Sequence, residues 1–480
     1  MNLSLWTWVA TIFFSLFFLF MSLRFKKKAD MSFAHYAIAG GTLPFFLVLF
    51  TDIATIMGVG NFVGHSSKGY EIGLANIPFV IGEQGAKIIF ALLFAGLAAR
   101  FTYKSIGEMM NDLLLRDRLS RAIIGVLTAS IMIAWVAGQA KGMGDLFAVF
   151  TGTDPTAMII FFTVVFLIYT SVGGMYSVVW TDLIQGSLLI GIAIWFYIQV
   201  FSKIDFSFTT LKTRLTEVDS IHLFQMNLSF WEIASLFITG CFGILAAQIY
   251  WQRCFAADHP KSASRAMLYS GIVAIVFTCF ATLSGLIVKT QNPDIAAESA
   301  ISWLIMEEMT EIAALSFFIL VFLAAISSAS SLLHAAAVVI VNDLVIPWSK
   351  ETSDKKLVGL TRIFVLMIGA LSVGAAIWAD SIIDLFSLAY TMTGGGVVPV
   401  LIVGLLWKRN KQELFTMGMQ NSSVSVWGGR IGIVSGAVAS LAFGILWGVA
   451  ISLALTIILS LVFPSNRVMD TLHDGKSATP

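Results

Sequence analysis

Thirteen stretches of this chain are apolar over a length that crosses a lipid bilayer. They lie at about 5–23, 43–68, 73–99, 121–149, 156–172, 178–201, 227–248, 263–288, 312–341, 358–379, 383–407, 431–447 and 449–464. This succession constrains the fold more than any other feature, because hydrocarbon gives backbone N–H and C=O groups nothing to bond. Only helices and closed barrels satisfy their own backbone there, and barrel strands are about half as long as these segments. The chain is expected to be an all-α polytopic membrane protein. Composition agrees: 58% of the residues are hydrophobic and 12% charged, about half the charge of a soluble domain.

Charge placement gives the expected topology. The first apolar run, LWTWVATIFFSLFFLFMSL, is followed by Arg24, Lys26, Lys27 and Lys28. A signal peptide has the reverse order and a shorter core, so this run reads as a retained helix with its N-terminus outside. Thirteen crossings then leave the C-terminus in the cytoplasm. Segments that would face inside hold 22 of the 29 lysines and arginines, Arg253–Arg265 among them, against 5 outside, as positive-inside topology requires. Lys87 and Lys141 fall within spans. The turn between the last two spans is expected at Leu446–Gly448.

The polar gaps at 203–226, 289–311 and 408–430 are too short for a soluble domain, so residues 1–480 read as one transporter domain. Within it, 1–42 form a leading helix and loop, 43–202 and 227–407 two five-span units, and 408–480 the C-terminal helices and tail. No G-x-x-x-x-G-K-[ST] loop exists to use ATP, so transport, if that is the function, must draw on an ion gradient or run downhill. Neither an HExxH motif nor a nucleophile elbow occurs, and an enzyme is not expected. Cys241, Cys254 and Cys279 show no pairing or metal-ligand spacing and read as packing residues. A net charge of +1 suggests no nucleic-acid partner.

The second stretch contains ATIMGVGNFVG, residues 54–64. Its glycines have the wrong spacing for a dinucleotide loop and no strand precedes them. Each costs a helix about 1 kcal/mol relative to alanine, so an unwound turn is expected, and unwound carbonyls at membrane depth can ligate a cation. A second weakened site, Thr239-Gly240-Cys241-Phe242-Gly243-Ile244, occurs five spans later. Two matched breaks, each opening a set of five helices, are the pattern of an inverted-repeat transporter. Glycines that only permit close helix packing are the other reading. The span at 312–341 carries Ser327, Ser328, Ser330 and Ser331. Ser327, Ser330 and Ser331 share a face, with Ser328 about 100° away. These neutral oxygens suit a hard cation such as sodium, although serines also bond back to their own helix.

These features, with Gly69-Tyr70-Glu71-Ile72-Gly73-Leu74-Ala75, the block SVGGMYSVVWTDLIQ at 171–185, Asn342-Asp343 and GLLWKR at 404–409, resemble the sodium:solute symporter family. That family includes proline, sugar, sialic acid, pantothenate and choline transporters, and the resemblance covers roughly 30–430. It implies a leucine-transporter-like fold, a five-plus-five inverted repeat with flanking helices, with alternating access and sodium as the coupling ion. Its shared sodium site falls on Ala54, Met57, Ala324, Ser327 and Ser328. A second sodium site, found in some members, falls on Asp182, Ser327, Ser330 and Ser331. Asp182 could instead cap its helix start.

Substrate residues are expected between the two breaks. Asn61 matches a polar contact of sugar-carrying members, and Trp135, Gln139 and Phe242 are further candidates. Lys141 could hold a solute carboxylate, pair with an internal acid, or snorkel outward. Glu83 and Lys87, four apart, are expected to neutralise one another. His65 and His334 read as hydrogen-bonded packing residues or proton carriers. The resulting expectation is a sodium-coupled symporter of a small polar organic solute, carboxylate-bearing by preference, in a plasma membrane of bacterial inner-membrane type. A neutral or cationic solute (a sugar, or one like choline) and a sensor that does not transport are the alternatives. No cofactor beyond sodium is expected.

Overall fold

The computed structural model describes residues 2–349, 353–407 and 422–464. Lys350, Lys408, Arg409, Lys411, Arg467 and Lys476, which the topology argument counts as cytoplasmic, lie outside the described residues, as does the C-terminal tail. Among the described residues the regular elements are helices, with one isolated bridge between Leu43 and Ala257. Ten helical segments are long and apolar enough to span a membrane, and a bent pair makes an eleventh.

In chain order, α1 is Leu3–Ala29, and α2 (Phe45–Ile56) and α3 (His65–Ile72) are the halves of the first interrupted span. Then follow α4 (Ile77–Phe90), α5 (Arg118–Thr151) and α6 (Pro155–Ser202). The second half begins with α7 (Phe230–Ala246) and α8 (Gln248–Ala256), then α9 (Pro260–Gln291) and α10 (Glu311–Val339). It continues with α11 (Asp354–Trp378), α12 (Ile382–Leu406), α13 (Val426–Phe443) and α14 (Ile445–Val462). Helix α10 is the most enclosed: from Phe317 to Val339 nearly every side chain is buried. It packs on α5 and α6, with α2 against it.

Helix α6 has 48 residues, a length of about 72 Å at 1.5 Å per residue, more than twice the hydrocarbon core. Gly174, at φ 55° and ψ −162°, divides it into two bilayer-length parts. The gap at 203–226 contains a short helix, Phe208–Glu217, and that at 289–311 another, Ala300–Glu308.

Three expectations are corrected here. The turn between α13 and α14 falls at Gly444, at φ +88°, because only glycine takes that conformation without strain. Gly448 lies inside α14 against Ser440. The second break is not in Thr239–Ile244: α7 runs unbroken to Ala246, and the 41° bend follows at Ala247 (φ −70°, ψ 114°). Gly240 and Gly243 serve close packing instead. A Cβ on Gly240 would meet the Glu83 backbone nitrogen at 2.5 Å, and one on Gly243 the Tyr390 ring at 2.2 Å. Thirdly, Arg253 is not a loop residue: it lies in α8 and is fully buried.

A mutational contrast follows. Gly240→Ala forces α7 off α4 and should destabilise by about 1–3 kcal/mol, seen as a lower thermal midpoint in detergent. Gly191→Ala meets nothing within 4 Å and should leave the midpoint unchanged or raise it. Equal midpoints for the two variants would refute the packing role of Gly240.

Candidate ion and solute site

Helix α2 ends at Ile56, and Met57 leaves the helical region at φ −78° and ψ 52°. The chain resumes through a wide turn at Gly60–Gly64 into α3. None of the glycines in this stretch has positive φ. They are needed for close approach: a Cβ on Gly58 would lie 2.7 Å from Gln139 Oε1 and 2.8 Å from Ser328 Oγ. Breaking a helix frees backbone donors, which cannot stay unpaired in an apolar interior. Gln139 answers this: its Oε1 accepts from the Val59 amide at 2.8 Å.

Against the break lie the α10 serines. Ser327 Oγ is 2.8 Å from the Ala54 carbonyl, 3.1 Å from that of Ala324 and 2.8 Å from that of Leu323. Ser328 Oγ donates to the Thr55 carbonyl at 2.7 Å and approaches that of Ala54 at 3.4 Å. Two hydroxyl and two carbonyl oxygens of the expected first sodium site therefore meet in one buried knot. Met57 is also buried at the break, and its sulfur takes a 3.7 Å contact from Asn61 Nδ2. Each serine hydroxyl now donates to a carbonyl. A cation at this place would take over those carbonyls, and the hydroxyls would rotate to offer lone pairs.

The residues of the expected second site are only partly brought together. Ser331 donates to Asp182 Oδ2 at 3.2 Å, but Ser330 bonds back to the Ser327 carbonyl at 3.0 Å. Asp182 is no helix cap: it lies eight residues beyond Gly174, inside α6, and Thr51 donates to it at 2.6 Å. Its counter-charge is Arg253, whose guanidinium is 3.9 Å away and donates to Ser331 at 3.0 Å and to Thr55.

Arg253 belongs to a buried cluster that the sequence reading missed. Its Nε lies 3.9 Å from Asp52 Oδ1, and Asp52 in turn pairs with Lys87 and accepts from Ser270. Two acids and two bases balance, which is how charge survives at membrane depth. Lys87 is thus committed to Asp52, not to Glu83 as the i, i+4 spacing suggested. Asp52, a carboxylate inside an apolar span, was the available signal.

A narrow cavity opens beside the break, and Asn61, Trp135 and Gln139 line it together with Glu83, Gln84, Phe386 and Tyr390. Asn61 is held by Thr278, 2.8 Å from its Nδ2. Lys141 and Phe242 are not part of this wall. Lys141 pairs with Asp145 at 3.5 Å near the end of α5, and Phe242 packs against Gly394. His334 bonds the Tyr36 carbonyl at 2.9 Å, as a packing histidine would. His65 contacts Glu83 at 3.1 Å, behind the cavity wall.

Two interrupted spans at matching positions, with neutral oxygens gathered at the first, define a leucine-transporter-like secondary transporter. The model of the sodium:solute symporter family matches residues 36–419, and the chain belongs to that family. It is 26% identical over 475 residues to the sodium/sialic acid symporter SiaT of Proteus mirabilis, covering 94% of this chain and 93% of that one. It is 25% identical to the sodium/pantothenate symporter of Haemophilus influenzae, over 80% and 81% of the two chains. A solved sodium-coupled sialic acid symporter in a substrate-bound outward-open state shares the fold, with a TM-score of 0.78. That likeness covers 97% of this chain and 99% of the other at 21% identity. The protein is a multi-pass sodium-coupled symporter of a small organic solute and not an enzyme; sodium is its coupling ion.

Proposed function

We propose that sodium binds at the break of the first interrupted span, on the carbonyls of Ala54, Met57 and Ala324 and the hydroxyls of Ser327 and Ser328. The observation that carries this is the direct meeting of both serines with the Ala54 and Thr55 carbonyls. Sodium held there links α2 to α10 and favours the outward-open conformer; solute then permits closure, and inward opening releases both. Coupling requires that sodium prefer one conformer, since an ion that binds both equally shifts nothing.

The solute is small, polar and imported, with a preference for one bearing a carboxylate. Lys141 no longer supports that preference. Its support comes from the relatives named for sialic acid and pantothenate and from the helix restart at Val59, whose positive dipole end faces the cavity at Gly58 and Gly60. Sodium at Asp182, Ser327, Ser330 and Ser331 is a weaker reading, because Arg253 already neutralises Asp182. The chain spans a bacterial inner membrane thirteen times as two five-helix repeats, 43–202 and 227–407, with flanking helices, N-terminus outside and C-terminus inside. The division of α6 at Gly174 and the hairpin at Gly444 support that count.

The test is thermal stabilisation of purified protein by a solute panel, with and without sodium. Sodium-dependent stabilisation by one solute is expected, followed by sodium-driven counterflow of that solute in proteoliposomes. Binding without counterflow would favour the sensor reading.

A further inference from the structure

We infer that the solute carries a positively charged nitrogen and that Glu83 recognises it; this rests on the cavity at the first break being the solute site. Glu83 lies on that cavity wall, 3% exposed. It accepts from Tyr390 at 2.6 Å, from Gln84 Nε2 at 2.7 Å and from His65 Nε2 at 3.1 Å. Three donors on one carboxyl group fit the ionised form, which only accepts.

Its histidine partner supplies no charge. Asn76 Nδ2, a donor only, lies 3.1 Å from His65 Nδ1, so Nδ1 is bare and the single ring proton is on Nε2, facing Glu83. Thr282 sets that orientation: its hydroxyl donates to the Thr278 carbonyl at 3.2 Å, so it can only accept from Asn76, whose Nδ2 lies 3.1 Å away. Lys87, one helical turn from Glu83, is taken by Asp52. Among the described residues no lysine or arginine comes within ion-pair distance of Glu83, and none lines the cavity. An ionised carboxylate without a counter-charge is costly at this depth, and a cationic solute would offset that cost.

Two further observations point the same way. Gln84 Oε1 is buried on the same wall without a hydrogen-bond partner, an acceptor waiting for a donor. Trp135 stands edge-on to Tyr390 at 5.8 Å and to Phe386 at 6.2 Å, and all three rings line the cavity. Aromatic walls around a carboxylate attract an ammonium group through the ring faces. A carboxylate on the same molecule is compatible with this, since the helix restart lies elsewhere on the wall.

The test uses purified full-length protein and matched probes: amino acids with their N-acetyl derivatives, and choline and glycine betaine with their tert-butyl isosteres. Stabilisation is titrated at fixed sodium. The member that carries the nitrogen cation should bind more than about tenfold tighter than the partner that lacks it, and Glu83→Gln should bring the pair to within about twofold. Gln84→Leu, which keeps Glu83, should weaken the cationic member alone and serves if Glu83→Gln does not fold. Stabilisation only by compounds lacking a nitrogen cation, by no cationic probe, or equally by both members of each pair overturns the inference. So does a preference that survives in Glu83→Gln. If sodium still stabilises the protein in those cases, the sodium site stands and only the solute assignment falls.

Discussion

Ser327→Ala is expected to weaken sodium affinity severely while leaving the fold intact. The hydroxyl touches the carbonyls of both the broken span and α10, so its removal takes one ligand and one bridge from the proposed site. Loss of an outer partner of a bound metal already costs about 10–100-fold, and a direct ligand should cost at least as much. Stability should fall little, because alanine suits the helix and the Ala324 and Leu323 carbonyls keep their helical bonds. Sodium-dependent stabilisation, titrated in wild type and variant, gives the comparison. Unchanged sodium dependence in the variant would remove Ser327 from the site.

Lys87→Met should have the largest effect on stability. It strands Asp52, fully buried, with the Ser270 hydroxyl and an arginine Nε 3.9 Å away. Removing one partner of a buried ion pair costs about 3–5 kcal/mol, whereas replacing both with apolar residues is often neutral. Lys87→Met should therefore lower the thermal midpoint sharply, and adding Asp52→Leu should restore most of it. Pairing of Lys87 with Glu83 would give another pattern: Glu83→Leu, not Asp52→Leu, would rescue. Rescue by Glu83→Leu would overturn the assignment of the pair.

These residues also show what the sequence made legible. Apolar length dictated helices, because a bilayer admits little else. The first break was legible because Gly58, Gly60 and Gly64 weaken the helix where close approach also needs them. The second was misplaced by a few residues. Gly240 and Gly243 looked like punctuation but make room for Glu83 and Tyr390, while Ala247 breaks the helix in an extended conformation open to any residue. Ser327 and Ser328 were visible as a cluster. Their partners, 273 residues earlier in the chain, became visible only by resemblance. The Asp52–Lys87 and Arg253–Asp182 pairs were missed for the same reason. Helical spacing identifies a neighbour on one face, but a carboxylate 35 residues back outcompeted it for Lys87. Arg253 was read as a topology signal because the end of α8 could not be placed from apolarity alone. Glu83 was assigned a partner it does not have, which concealed its place on the cavity wall.

The most direct test of the sodium site is equilibrium binding of radiolabelled sodium to the purified protein. Wild type should bind sodium saturably, with displacement by unlabelled sodium and not by potassium. The Ser327→Ala/Ser328→Ala variant should show no saturable binding at the same concentrations. Absence of saturable binding in wild type, or binding unchanged in the double variant, would contradict a sodium site between the Ala54–Met57 break and the serines of α10.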